Sequence, residues 1–529
     1  DDPDSDECAD KKRTFWAQRP EWTYLAFTPA HILQEGAEKF TNQLIARLHS
    51  AGVACNRLTD DEIWERIHHR AIDGFTKAVR QFISRCRKRN LSPRQIKTMV
   101  QGHRAGMTAE ALFLQVGVSV YQGYMNRLQE ANKDDFDGLI WRAVDLIKEG
   151  HTFFSRDKGR ERGDVRNLRF IMIDEFQDFS QMFFELVNAV RSVNRQVKFF
   201  CVGDDWQAIN AFAGSDLVFF ENFTQFFQNT SHHDIRTNYR SATDIVSTSN
   251  YLMDGLGVTA RPNRGDQGWI QLCKLDSFTP TAAEQTRYNG DELTPALLRL
   301  IRFLLDQGQE IVLLSRRSRV PWYIDYRGKD HQSANALSRF LEHIRSFLPE
   351  ADRERVTIST THKYKGLQRG AVILLDATAR SYPLIHPHWI FLRIFNDSVE
   401  KIDQEERRLF YVAITRAENY LALLTETRSQ SPYIRDLQIA KSMDTIIWDE
   451  LAPLPSQEQP LLEIRVFDSF FVKDQLKQHC FIWEPVGAYW YRTVLAEGFS
   501  FNGLLEQSWA KSDVRIKVYT ESLELLHER

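Results

Sequence analysis

The sequence predicts an α/β protein built on parallel sheets, with a helical region in front and a small α+β module behind. Two observations carry that reading. Apolar runs of strand length stop abruptly at charged residues and alternate with helical patterns, as in βαβ units. Ahead of them, residues 29–163 show apolar positions three and four apart, with few strand signals.

The elements follow in order. Residues 168–173 read as a buried strand ending at Asp174-Glu175. A helix pattern spans about 181–192. A second strand at 197–202 ends at Gly203-Asp204-Asp205. Polar residues at both strand ends matter, because open α/β sheets bind ligands there. A second α/β unit shows strands at 310–315, 356–360, 371–376 and 420–424, with a helix at 404–416 among those between. Prolines 432, 453, 455 and 460 suggest a linker. The tail from 461 reads as a small α+β module. Its hairpin would be 480–483, a Pro485-Val486-Gly487 turn, then 489–491.

The expected organisation is an acidic, partly disordered segment 1–28 and a helical subdomain 29–163. The end of a first α/β domain follows at 164–240, a second α/β domain at 241–427, a linker at 428–460 and the module at 461–529. A chain of 529 residues needs no staple to hold its core. Lys+Arg is 68 and Asp+Glu is 71, a net charge of −3, which excludes a uniformly basic nucleic-acid coat. The six cysteines include no CxxC pair, against a zinc or redox motif. No apolar run approaches the ~20 residues of a membrane span. The acidic start is unlike a leader peptide. The expectation is a cytoplasmic protein with reduced thiols. The first residue is Asp1 rather than Met.

One local asymmetry stands against the neutral balance. Between Gly74 and Ala109 there is no acidic residue and nine basic ones: Lys77, Arg80, Arg85, Arg87, Lys88, Arg89, Arg94, Lys97 and Arg104. Such a stretch is either a solvated helical face or a surface that tracks phosphates.

The strand-end residues form a series. Asp174-Glu175-Phe176-Gln177-Asp178 resembles motif II of superfamily 1 helicases of the UvrD/Rep type. Gly203-Asp204-Asp205-Trp206-Gln207-Ala208-Ile209 resembles motif III, and Thr237-Asn238-Tyr239-Arg240-Ser241 the family's NYRS motif. Leu314-Ser315-Arg316 resembles a short strand-end motif, and 361–368 (THKYKGLQ) motif V. Residues 405–417 (EERRLFYVAITRA) resemble motif VI nearly letter for letter. Asp135-Phe136-Asp137-Gly138-Leu139 resembles the segment that precedes motif II. Six motifs in family order identify the chain as a member, with the Gly-Asp-Asp-Trp-Gln spelling leaning to the helicase IV branch.

The resemblance implies two RecA-like domains of the P-loop NTPase type, the first incomplete, and a 1B-like helical subdomain. It implies ATP and Mg²⁺ as cofactors, with 3′ to 5′ movement on single-stranded DNA or DNA with a 3′ tail, and no membrane. Asp174 would hold Mg²⁺, Glu175 would activate water, and Gln207 would sense the γ-phosphate. Arg240 and Arg416 would reach it from opposite sides. Tyr239 would stack on adenine, with Asp204, Gly366 and Gln368 also at the nucleotide. Phe212 would stack on a base, and Thr361 and His362 would meet the strand's backbone. Lys77, Arg85, Arg87, Lys88 and Arg89 would add a basic DNA face. An arginine fork suits phosphate oxygens, and phosphoryl transfer is chiefly positioning and charge neutralisation.

Departures from the pattern qualify this. No G-x-x-x-x-G-K-[ST] phosphate loop occurs; Gly328-Lys329 is followed by Asp330. The expectation is a fragment of a longer motor, inactive by itself. The alternative is a helicase-like DNA-binding or assembly protein without ATPase activity. Gln368 stands where the family has Glu, and Asn210 where Tyr is frequent. About 38 residues separate Arg317 from Val356, too few for the large 2B insertion. Phe481, Trp483, Tyr489, Trp490 and Tyr491, near Arg492, Lys511, Arg515 and Lys517, read as a small core or a docking platform.

Overall fold

The computed structural model describes residues 18, 37–55, 58–288, 293–319, 336–440, 443–453, 461–479, 481–485, 487–496, 499–520 and 523–529. Apart from Gln18, the acidic segment 1–28 lies outside them, as do Gly328-Lys329-Asp330, Cys480, Val486 and the linker prolines 455 and 460. The chain divides into two compact units, 1–80 and 81–529. The first holds α1 (Ala37–Ser50) and begins α2 (Asp60–Lys88).

In the second unit α3 (Pro93–Gly102) starts at a capping box. Ser92 accepts from the Gln95 amide, and the Gln95 side chain accepts from the Ser92 amide at 2.8 Å. After α4 (Thr108–Glu130), Asp135 caps α5 (Phe136–Lys148) by accepting from the Gly138 amide at 2.6 Å. An antiparallel hairpin, β1 (Phe153–Arg156) with β2 (Glu161–Asp164), closes this region. The helical reading of 29–163 misses it, because these four-residue strands carry no apolar alternation.

β3 (Phe170–Ile173) and β4 (Lys198–Cys201) pair in parallel with α6 (Gln181–Val193) between them, the expected βαβ unit. One expectation needs correction: the first strand is not buried on both faces. Ile173, Phe199 and Cys201 pack on Phe176, Phe179, Val187, Phe219 and Phe227. Phe170, Met172 and Phe200, on the other face, are 58%, 77% and 61% exposed. Parallel strands are ordinarily covered on both sides, so this pair keeps one apolar face open.

The next α/β region is a six-stranded parallel sheet. In chain order it comprises α7 (Thr243–Leu252), β5 (Trp269–Lys274), α8 (Leu293–Asp306), β6 (Ile311–Ser315), α9 (Ala336–Ser346) and β7 (Val356–Thr360). It continues with β8 (Arg369–Leu374), α10 (Val399–Ile414), β9 (Ala417–Thr425), α11 (Pro432–Ala440) and β10 (Asp444–Thr445). The strand order is β10-β5-β9-β8-β6-β7. Successive residues feed opposite cores, following the period of two. Ile311, Leu313 and Ile373 pack with Leu297, Ile301 and Phe340. Val312, Leu314 and Val372 pack with Leu252, Phe410 and Leu437. The four strands read from the sequence are present; β5 and β10 are additions. Part of the expected linker is not one. Pro432 opens α11, where its missing N–H costs nothing, and β10 joins the sheet edge.

The C-terminal module is a five-stranded antiparallel sheet of β11 (Leu461–Phe467), β12 (Ile482–Glu484), β13 (Tyr489–Leu495), β14 (Arg515–Thr520) and β15 (Leu525–Glu528). Its order is β12-β13-β11-β14-β15. The expected hairpin is there, Trp483 opposite Trp490. Phe481 and Trp490 join Val466, Leu476, Trp509 and Ile516 in its core. Among the described residues no helix is long and apolar enough to cross a membrane.

Candidate functional site

The end of β3 turns sharply. Glu175 adopts a left-handed φ of 53°, rare and costly for a side chain with a Cβ. Its amide donates to Asp174 Oδ1 at 2.9 Å. Both carboxylates are exposed, while the next residue, Phe176, is buried and anchors the turn. The Phe176 amide donates to Val202 O at 2.8 Å, fixing this turn to the end of β4.

Gln177 clamps the two strand ends together. It is 1% exposed; its Nε2 donates to Glu175 Oε2, and its Oε1 accepts from the Asp204 amide at 2.9 Å. Asp204 then caps the turn that follows, accepting from the Trp206 amide at 3.0 Å and from Gln207 Nε2 at 2.6 Å. Asp174, Glu175, Asp204 and Gln207 therefore form one hydrogen-bonded polar cluster at the carboxyl ends of neighbouring strands.

The Arg240 and Arg416 segments are tied to each other. Asn238 Oδ1 accepts from the amides of Arg240 and Ser241, both at 2.9 Å. Ser241 Oγ donates to Ala417 O at 2.8 Å, joining the two motifs. Arg416 departs from expectation. It is 1% exposed and turned inward, with Nε donating to Val412 O at 2.9 Å, Nη1 to Leu367 O at 3.1 Å and Nη2 to Thr415 Oγ1 at 3.2 Å. Burial, then the charge of Arg240, pulls its pKa down to about 10; Asp204 and Glu175 pull the other way. Its charge thus lies within reach of Asp204 and Glu175, while its Nε, Nη1 and Nη2 each donate to a protein carbonyl or hydroxyl. Tyr239 is 70% exposed, and Gly366 (φ 83°) and Gln368 lie on an exposed loop.

Phe212 is 60% exposed and meets the His362 ring edge-on, centroids 5.8 Å apart at 81°. Burial, then Arg316, lowers the His362 pKa to about 4, so the ring is neutral at pH 7. Thr361 does not face outward as expected. It is fully buried, its hydroxyl bonded to Tyr382 Oη at 2.8 Å and its amide donating to Ser315 O at 3.0 Å.

The basic stretch is the largest correction. Arg85 pairs with Asp397 at 3.1 Å and Arg87 with Asp135 at 2.7 Å, both arginines largely buried. Lys88 Nζ donates to Ala213 O. Arg89 donates to Phe395 O at 3.0 Å and lies 5.3 Å over the Phe395 ring. The acids that pair with Arg85 and Arg87 are distant in sequence, so composition alone could not reveal them. Lys77, Arg94, Lys97 and Arg104 are exposed.

Four residues without a sequence-assigned role, Lys365, Asp178, Asn210 and Glu405, adjoin the site. Lys365 Nζ lies 2.8 Å from Asp178 and 3.4 Å from Glu175. Asn210 Nδ2 donates to Asp178 Oδ2 at 2.8 Å. Glu405 Oε1 accepts from the Ala211 amide at 2.9 Å, and burial pushes its pKa up to about 7. All of them lie in or beside the motifs quoted from the sequence, but the contacts that join them are distant in sequence and left no local signal.

Among the described residues no group of three His, Cys, Asp or Glu is arranged to hold a metal. The donor set at Asp174 fits a cation that takes few protein ligands and completes its shell with water and phosphate, as Mg²⁺ does.

Comparison with known proteins agrees with the motif series. Residues 21–228 match the UvrD/REP helicase N-terminal domain, and residues 309–428 match the UvrD-like helicase C-terminal domain. DNA helicase IV of Escherichia coli (strain K12) is 29% identical over 332 residues, covering 61% of this chain and 41% of that protein. A probable DNA helicase of Mycoplasma pneumoniae is 25% identical over 319 residues, 59% of this chain and 53% of that protein. ATP-dependent DNA helicase UvrD1 of Mycobacterium tuberculosis (strain H37Rv) is 32% identical over 155 residues, 28% of this chain and 19% of that protein. The chain thus spans about half or less of the length of these relatives. With two family domains in order over well over half of its residues, the chain belongs to the UvrD/Rep helicase family.

Proposed function

We propose that this chain is part of an ATP-dependent DNA helicase that moves 3′ to 5′ along single-stranded DNA. One observation carries the reading most. The Arg240 and Arg416 segments are joined through Ser241 Oγ and Ala417 O, Arg416 lies within electrostatic reach of Arg240, Asp204 and Glu175, and an anion beside the two arginines would relieve their mutual repulsion. A nucleoside triphosphate supplies that anion.

In this reading Asp174 would hold Mg²⁺, which would supply charge neutralisation at the phosphates. The Glu175 carboxylate takes the proton of the attacking water. Gln207, tethered to Asp204, reports the terminal phosphate. Arg416 leaves its carbonyl partners to reach it. Tyr239 offers an exposed ring to adenine. Phe212 offers its exposed face to a base, a sequence-tolerant contact of the kind a motor needs. The 3′ to 5′ direction rests on the motif resemblance.

The test is DNA-stimulated ATP hydrolysis, measured on this chain and on the longest product of its gene. Because the sequence has no phosphate-loop lysine, this chain alone is expected to turn over ATP negligibly while binding oligonucleotide. A gene product lacking both a phosphate loop and hydrolysis sinks the motor reading. A second reading, a DNA-binding protein with no ATPase, draws on the same missing loop and on the inward-turned Arg416.

A further inference from the structure

We infer that Lys365 is a positioning residue that links the strand-stacking turn at Phe212 to the water-activating carboxylate Glu175. The inference rests on the proposed roles of those two residues and adds the physical connection between them. Lys365 Nζ sits between two carboxylates, 3.4 Å from Glu175 and 2.8 Å from Asp178. Its side chain is 12% exposed, which holds the ammonium in place and strengthens both attractions.

Asp178 is the shared node. The same oxygen, Oδ2, takes the Lys365 ammonium and the Asn210 amide at 2.8 Å each. Asn210 opens the turn whose next residues are Ala211 and Phe212. That turn is gripped on two further sides, by Glu405 at the Ala211 amide and by His362 against the Phe212 ring. His362 and Lys365 lie on one loop three residues apart. A base arriving at Phe212 would press on His362, which shares a loop with Lys365, and on the turn whose Asn210 is joined to Lys365 through Asp178.

The outcome at Glu175 is geometric. Glu175 is held by Gln177 and Lys365 together, on a backbone already in a left-handed conformation. Shortening or breaking the Lys365 contact reorients the carboxylate without touching Asp174. Lysine suits this role because its compact charge on a flexible stem can move between neighbouring acids.

The test needs no hydrolysis. Hydrogen exchange of the full chain is followed at 174–179 and 208–214, with and without saturating oligo(dT), for the parent, Lys365→Met and Lys365→Arg. The inference expects oligo(dT) to change exchange in both segments of the parent. In Lys365→Met the response at 208–214 persists and the response at 174–179 is lost; Lys365→Arg retains it. An unchanged response at 174–179 in Lys365→Met overturns the inference and leaves DNA binding at Phe212 intact. No oligo(dT) response at 208–214 in the parent overturns the DNA reading itself, and the inference with it. Thermal melting of each variant separates lost coupling from lost folding: a Lys365→Met protein that melts with the parent and loses the response supports the link.

Discussion

Arg87 holds Asp135 in a two-pronged grip, Nε donating to Oδ2 at 2.8 Å and Nη2 to Oδ1 at 2.7 Å. Asp135 also caps α5 and accepts from Tyr124 Oη at 2.7 Å, so one carboxylate joins α2, α4 and α5. Burial alone would raise its pKa, but these hydrogen bonds outweigh burial and hold it at about 2.

Arg87→Met should therefore cost stability rather than DNA affinity. Removing one partner of a mostly buried bidentate pair costs about 3 kcal/mol. Urea unfolding should show the loss, and oligo(dT) affinity of the folded fraction should stay within twofold. A tenfold loss of affinity with an unchanged urea midpoint would restore Arg87 to the DNA surface.

The same carboxylate gives an acid limit. A depressed pKa contributes stability above the unfolded value near 4, lost as pH falls towards 2. The parent should unfold more steeply between pH 4 and 2 than Arg87→Met, read by circular dichroism. Parallel curves would show that Asp135 does not govern this limb.

Glu405 acts in the opposite direction. Its pKa is raised, so its contribution is complete below about 4.5 and declines as pH rises through about 7. Each pH unit in that window is worth up to about 1.4 kcal/mol while one proton separates the two states. Burial dominates, Glu406 and Asp397 add to the rise, and the Ala211 amide and Arg85 oppose it. Asp376, fully enclosed and raised to about 6, has the same sign. Glu405→Gln should flatten the fall in urea midpoint between pH 5 and 8 without abolishing it. An unaltered slope would exclude Glu405 as a contributor.

Phe212→Ala removes an exposed ring whose stacking on a base is worth about 1–3 kcal/mol. Oligo(dT) affinity should drop about tenfold or more while melting stays close to the parent. Unchanged affinity would place the strand elsewhere.

Much of the fold was legible because strand ends and motif residues are local in sequence. β3, β4 and the four central strands of the larger sheet stand where apolar runs meet polar stops. The site's two halves were legible for the same reason. What escaped depends on distant partners. Arg85 with Asp397 is separated by 312 residues and Lys365 with Asp178 by 187. Nothing local to Arg85 or Arg87 distinguishes an internal strut from a phosphate contact. The burial of Thr361 and Arg416 was illegible for the same reason: their residue types suit a ligand, and their enclosure comes from tertiary packing.

The open apolar face of β3 and β4 has a practical consequence for anyone handling this chain. Phe170, Met172 and Phe200 present exposed aromatic and thioether surface beside strand edges that no described strand pairs. Such a surface is a template for edge-to-edge and face-to-face association. In concentrated solution the chain should scatter light increasingly with concentration and with added sulfate. Replacing Met172 and Phe200 by lysine, on a face that packs against nothing described, should keep it monodisperse.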